Sequence, residues 1–396
     1  HIVVNNLTMT NSSHTTTQLA DRLLSIYSLI LILLGTPCNF LCCLIYFQKS
    51  NRKNSIKIIF GYLAILDTIV LYTFNLNYVV REFNIDYQFT YVNLNNQTKK
   101  NVESLTQISI NFIIIKKNLE EYSLVICRLL SYIAFSTLQT ASWILTFGSF
   151  NRYLLVSQHR SFKFICKRTY TLIICSIITC IFFLANIHLL WLNGYQSKYG
   201  NIICYQNQYS SQYFSWYQRI HLCLYSVCPS IILFILNTLL MRKVFASKKR
   251  LDSHKQDVLL SLSSLSEPAT TPNERRKSMF SKRFSQLSSL RFFQRSNNPR
   301  TTLNRHSRKL TLSLIFITMS FFILTFPSTV IFSFFRPYIE QLRLRRTLSL
   351  FFTNLSTTTH VIRFFIYFVC SIDFRNDFYQ LFSFKTYVRS KTLPSK

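Results

Sequence analysis

The sequence predicts an all-α protein: a bundle of seven membrane-spanning helices followed by a C-terminal amphipathic helix on the membrane surface. Three observations predict it. Seven apolar blocks, each about the length needed to cross a hydrocarbon core, divide the chain. Alternate short connections between them carry Lys and Arg but no acid. Finally, one apolar stretch without an acidic residue runs from Cys127 to Asn151-Arg152-Tyr153. Arg152 follows Cys127 by 25 residues, so a helix between them rises about 37 Å, slightly more than a hydrocarbon core.

Composition narrows the class. Hydrophobic residues make up 49% of the 396, and they come in long blocks rather than in alternating or 3.6-period stripes, which favours membrane spans over a soluble core. Only five glycines and eight prolines argue against a loop-rich chain. The eleven cysteines are too scattered for a disulfide scaffold, and most fall in apolar runs where they pack as small hydrophobes. A net charge of +31 raises the question of nucleic acid. The basic residues sit between apolar runs, however, with no RNA-binding signature, zinc spacing or phosphate loop, so no nucleic-acid partner is expected. The block Leu23 to Phe47 is too long for a cleavable signal and lacks a cleavage site. The sequence starts at His1, not Met, which leaves a true N-terminus upstream open.

In order, the spans are expected at about 22–48, 57–80, 122–153, 169–192, 217–243, 309–335 and 347–371. After the seventh, the aromatics of Asp373 to Phe382 recur at three-to-four spacing, as on a helix lying at an interface. The expected organisation is an outer segment 1–21, a helical domain 22–385 and a cytoplasmic tail 386–396. Orientation follows from the loops. The first connection holds Lys49, Arg52, Lys53 and Lys57, and the third holds Arg160, Lys163, Lys167 and Arg168, both without acids. The second balances its cations against Glu82, Asp86, Glu103, Glu120 and Glu121, while the sixth, with four arginines against Glu340, is less tidy. The balance puts the N-terminus outside and the C-terminus in the cytosol, at the plasma membrane.

Glycosylation sequons agree with that direction: Asn6 and Asn11 fall in the first segment and Asn96 in the second connection. A further match at Asn354, inside the seventh span, shows how readily the pattern arises by chance. Residues 247–307 are Ser-rich and basic and read as a disordered third cytoplasmic loop. Ser278 and Ser285 there follow Arg and Lys as in basophilic kinase sites. Adhesion of the run to anionic membrane lipids is an equal alternative.

An ordered set of motifs resembles the rhodopsin-like (class A) G-protein-coupled receptor family across about 22–385. Gly35-Thr36-Pro37-Cys38-Asn39 is similar to the first-helix Asn motif and Leu63-Ala64-Ile65-Leu66-Asp67 to the second-helix motif. Cys127 and Arg152 stand at the third-helix spacing, Pro229 fits the fifth helix, and Phe321 with Pro327 the sixth. Tyr367 followed by Asp373-Phe374-Arg375 resembles the end of the seventh. The resemblance implies a Cys127–Cys204 disulfide tethering an outer loop over a ligand mouth, kinks at Pro229 and Pro327, and coupling of Asn151, Arg152 and Tyr153 to a heterotrimeric G protein. It also implies a polar core of Asn39, Asp67, Arg363 and Tyr367. No enzyme activity, cofactor or metal is expected.

Departures from the family pattern are informative. Where the family has Asn-Pro-x-x-Tyr, this chain has Arg363-Phe364-Phe365-Ile366-Tyr367, which places Arg363 where it would pair with Asp67 in place of the family's sodium-linked cluster. The competing reading has Arg363 snorkelling toward the cytosolic interface. The usual acid before the arginine is Asn151, and a sixth-helix acid would fall at Ser307, so the resting state is expected to be held less tightly. Thr325 and Asn237 replace a usual Trp and Tyr, and the fourth helix lacks its Trp.

The ligand classes divide on two residues. Ala134 stands where amine receptors carry Asp, and Thr357 where opsins carry Lys, so neither amines nor retinal are expected. The Phe-Phe-x-Tyr ending resembles invertebrate FMRFamide-type peptide receptors, and the aromatic, polar outer loops suit peptide capture. The expected function is transduction of an extracellular neuropeptide signal. Alternatives are a chemosensory receptor for a small molecule, or a seven-helix transporter or channel. Against the last, only Asp67 and Arg363 are ionisable near mid-membrane, and no inverted repeat is evident.

Overall fold

The computed structural model describes residues 2–48, 54–83, 86–91, 110–115, 118–157, 162, 164–198, 200–210, 212–264, 299–330, 339 and 342–382. Its helices are α1 (Ile2–Tyr46), α2 (Ser55–Phe83), α3 (Leu124–Ser157), α4 (Arg168–Leu192), α5 (starting as Tyr213–Leu222 and ending as Cys228–Ser264), α6 (Pro299–Val330), α7 (Leu342–Cys370) and α8 (Ile372–Phe382). Two short antiparallel hairpins interrupt them: β1 (Asp86–Tyr91) with β2 (Ile110–Ile115), and β3 (Tyr195–Gln196) with β4 (Ile202–Ile203). Stretches of α1 to α6 are each long and apolar enough to cross a membrane. The seventh passes that test together with α8, which turns away from it by 97°. The all-α seven-helix bundle with a surface helix is the observed architecture.

Local chemistry explains the boundaries. Asn54 caps α2, its Oδ1 accepting from the Ile56 amide at 3.1 Å. In α5 a π-turn at Cys223–Val227 directly precedes Pro229, with the Cys228 amide donating back to the Cys223 carbonyl. Proline has no N–H to continue the ladder, so the wide turn sits where the ladder is already broken. The α7–α8 corner is held by Ser371, whose Oγ accepts from the Phe374 amide at 3.2 Å, and by Arg375, which donates to the Phe368 and Val369 carbonyls. Lys57 then ties α8 to α2 through Asp377 at 3.0 Å.

Lipid is as apolar as leucine, so bundle cohesion comes from close packing and buried hydrogen bonds rather than from expulsion of water. The third helix is built for that role: Ser131, Ser136, Thr137, Thr140, Ser142, Thr146 and Ser149 are all buried, letting its neighbours approach closely. By contrast, α4 shows lipid a stripe of Ile173, Ile177, Ile181 and Leu184, all largely exposed. Toward the Arg152 end of the bundle, Tyr367 packs on Phe60 (4.7 Å between centroids), Tyr46 and Phe374.

Several elements differ from the sequence reading. α5 continues to Ser264 and α6 begins at Pro299, so both ends of the 247–307 stretch are helical rather than loop. Leu, Lys and Gln, abundant just past Ser247, are good helix formers and extend a helix already nucleated in the bundle. α7 starts at Leu342, earlier than expected. Asp21 of α1 draws its first turns in, accepting from Thr347 at 2.6 Å and facing Arg346 at 3.9 Å. Those helical arginines made the sixth connection look untidy. Both hairpins were missed.

Candidate functional site

At one end of the bundle Cys127 and Cys204 form a disulfide, with Cα atoms 6.0 Å apart. The β3–β4 hairpin delivers Cys204 to the mouth of α3. Its approach requires Gly194, whose φ is +76° and where a Cβ would lie 2.8 Å from Cys127 Sγ. Arg128 Nε donates to the Asn193 carbonyl (3.0 Å), and Asn193 in turn donates to Ser131 Oγ and accepts from the Tyr205 amide. The segment is thus held at several points besides the covalent one.

Beside the disulfide lies a pair that sequence reasoning did not separate from the other acids. Glu120, in the turn Leu119–Glu121, is 3% exposed, and its Oε1 accepts from Tyr205 Oη at 2.5 Å. Burial pushes its carboxyl up to about 7, although the hydrogen bonds from Tyr205 and Asn77 pull the other way. Tyr205 has a φ of +61°, a left-handed conformation costing of order 1 kcal/mol. Its ring offsets that cost by packing against Phe214 (5.4 Å) and Phe135 (6.3 Å). Of the other acids, Glu103 lies outside the described residues, and Glu121 hydrogen-bonds Asn118 in a reciprocal cap.

Midway along the bundle Asp67 and Arg363 meet. Asp67 Oδ1 accepts from Arg363 Nη1 at 2.5 Å and from His360 Nδ1 at 2.7 Å, all three side chains being nearly inaccessible. His360 was not foreseen. It stands three residues before Arg363, one helical turn away on the same face, which is the signal that would have found it. The residues do not fit a sodium ion, because the Arg363 guanidinium already holds the carboxylate that would bind one. Asn39 and Tyr367 are buried but contribute no hydrogen bond to the pair; Asn39 Nδ2 and Tyr367 Oη have no hydrogen-bond partner among the described residues.

At the other end of α3, Arg152 is 4% exposed and Tyr153 half-buried. Asn151 is fully buried, and neither atom of its side-chain amide makes a hydrogen bond among the described residues. Ser307 falls on α6, its side chain not described. Farther in, Asn237 of α5 donates to Thr318 of α6 at 2.5 Å, linking the two helices where a tyrosine is usual. Pro229 and Pro327 both lie within helices, in α5 and α6.

A model of the 7 transmembrane receptor (rhodopsin family) matches residues 104–375, more than half of the chain. The chain belongs to that family. A search of the curated proteins finds no match. As a rhodopsin-family receptor it is a multi-pass membrane protein working in signal transduction, and receptors of this family are not enzymes.

Among the remaining expected positions in the receptor, Asn6 and Asn11 lie on α1 with side chains not described, and Asn96, Ser278 and Ser285 lie outside the described residues. Asn354 is 1% exposed and spends its amide on Ser28, Asn75 and the Leu24 carbonyl, so it joins α1, α2 and α7 rather than carrying a glycan.

Proposed function

We propose that this receptor binds an extracellular peptide at the disulfide end and couples to a heterotrimeric G protein at the Arg152 end, in the plasma membrane with its N-terminus outside. The observation that carries this reading is that one helix, α3, bears a disulfide cysteine at one end and a buried arginine at the other. Ligand binding energy would favour the state in which the inner ends of α5 and α6 move outward and uncover Arg152, with Tyr153 and Asn151 beside it. Asn151 supports a loosely held resting state, since its neutral amide offers Arg152 no ion pair.

Two features favour a peptide, and among peptides a cationic amidated one. Beside the disulfide the mouth offers aromatic contacts in Tyr205, whose ring packs on Phe135 and Phe214. Glu120 supplies an acid at that end, its backbone carbonyl lying 3.4 Å from Cys204 Sγ. The Phe364-Phe365-x-Tyr367 ending adds the likeness to FMRFamide-type receptors. The test is a library of amidated peptides applied to cells expressing the receptor with a promiscuous G protein. A concentration-dependent response that Arg152→Ala abolishes supports the reading. A response confined to small non-peptide odorants would replace the peptide with a chemosensory ligand.

A further inference from the structure

Apart from the mouth and the Asp67 cluster, a cleft of about 890 Å³ lies between α4 and α5, backed by α3 and roofed by the segment after β4. That volume suits a small-molecule ligand. Along its floor runs a chain of neutral polar groups in which each hydrogen bond fixes the next. Asn186 Nδ2 donates to the Phe182 carbonyl (2.8 Å) and to Gln139 Oε1 (2.6 Å), and Asn186 Oδ1 accepts from Tyr217 Oη (2.6 Å). With its oxygen accepting, Gln139 presents Nε2 to His221 Nδ1 at 3.0 Å. An amide nitrogen only donates, so His221 Nδ1 accepts and the ring proton sits on Nε2. Nε2–H is therefore a donor that this network leaves unspent, on a side chain lining the cleft.

The rest of the cleft specifies what would use that donor. Its walls include Ala185, Leu192, Trp216, Ile220 and Leu224, and no Asp, Glu, Lys or Arg lines it among the described residues. A charged head would lose its water there and gain no counter-charge. Trp216 and Ile220, with Trp191 and Leu184 on the adjoining face of α4, are largely exposed, so this side of the cleft faces the bilayer.

We propose that the cleft is a binding site for a neutral amphiphile entering from the membrane, distinct from the peptide mouth. Its carbonyl, of an ester or amide, accepts from His221 Nε2–H, and its acyl chain lies along Trp216, Ile220 and Leu224. A cationic peptide is the wrong chemistry for these walls, so this site stands on its own residues whether or not the mouth takes a peptide.

The test uses the full-length receptor in lipid nanodiscs and three photoreactive, alkyne-tagged probes sharing one palmitoyl-length chain: an N-acylethanolamide, the free fatty acid and a trimethylammonium. The ethanolamide should label the α5 segment around Trp216–Leu224 preferentially. Ala185→Trp, which fills the cleft from an exposed position, should abolish that labelling. His221→Phe should reduce it about tenfold, the effect of losing one hydrogen bond to a buried donor. An intact Cys127–Cys204 bond verifies the fold of each variant. Equal labelling by all three probes, or labelling that survives Ala185→Trp, would show ordinary annular lipid and overturn the proposal.

Discussion

Removing the acid of the mid-membrane pair is the sharpest perturbation available. In Asp67→Asn the Arg363 guanidinium, 2% exposed, keeps its charge but loses its only anionic partner among the described residues, and its Nε and Nη2 already lack hydrogen bonds. Breaking a buried ion pair from one side costs about 3–5 kcal/mol, most of it the uncompensated charge left behind. Arg363→Gln should cost less, about 1–3 kcal/mol, because His360 still donates to Asp67 at 2.7 Å. With both changes together no charge is stranded, and the double variant should recover to within about 1–2 kcal/mol of the parent. The assay is a double-mutant cycle on purified receptor in detergent, read by unfolding free energy and surface expression. A coupling of about 2 kcal/mol or more is expected. If the two costs add to within about 0.5 kcal/mol, the residues are not partners and the replacement of a sodium site by Arg363 is wrong.

Two further outcomes follow from the mouth. The Glu120 carboxyl is raised from its ordinary 4.5 to about 7, so the closed mouth holds its proton more tightly than an opened one. Stability of the closed mouth is therefore fully present below about pH 4.5, falls by about 3 kcal/mol as pH rises to about 7, and is flat above. Hydrogen exchange of the Tyr205 segment across that range should show the slope, and Glu120→Gln should flatten it. Cys204→Ser should destabilise the receptor by about 2–4 kcal/mol and free the β3–β4 hairpin, measured as faster proteolysis of that segment.

Much of the bundle was legible because hydrocarbon imposes a single length scale on apolar runs. Asp67 and Arg363 were legible too: an ionisable residue in a span needs a partner, and the family register put the two opposite each other. What escaped was of two kinds. Groups joined only by tertiary folding, such as Gln139, Asn186 and His221 on three helices, have no shared spacing to reveal them. Polar helix ends, such as the stretch of α5 to Ser264, look like loop because their helicity is borrowed from the buried segment they continue. His360 lies between these kinds, visible by its spacing only once Arg363 was known to point inward.

The central claim is that this rhodopsin-family receptor drives nucleotide exchange through Arg152 with weakened resting restraint. The most direct measurement is ligand-free guanine-nucleotide exchange on added G protein, comparing the receptor in nanodiscs with Asn151→Asp. A neighbouring carboxylate would pair with the buried arginine for about 1–2 kcal/mol, so basal exchange should fall by roughly five- to thirtyfold. Measurable exchange that Asn151→Asp leaves unchanged, or no exchange from either receptor, would contradict the account.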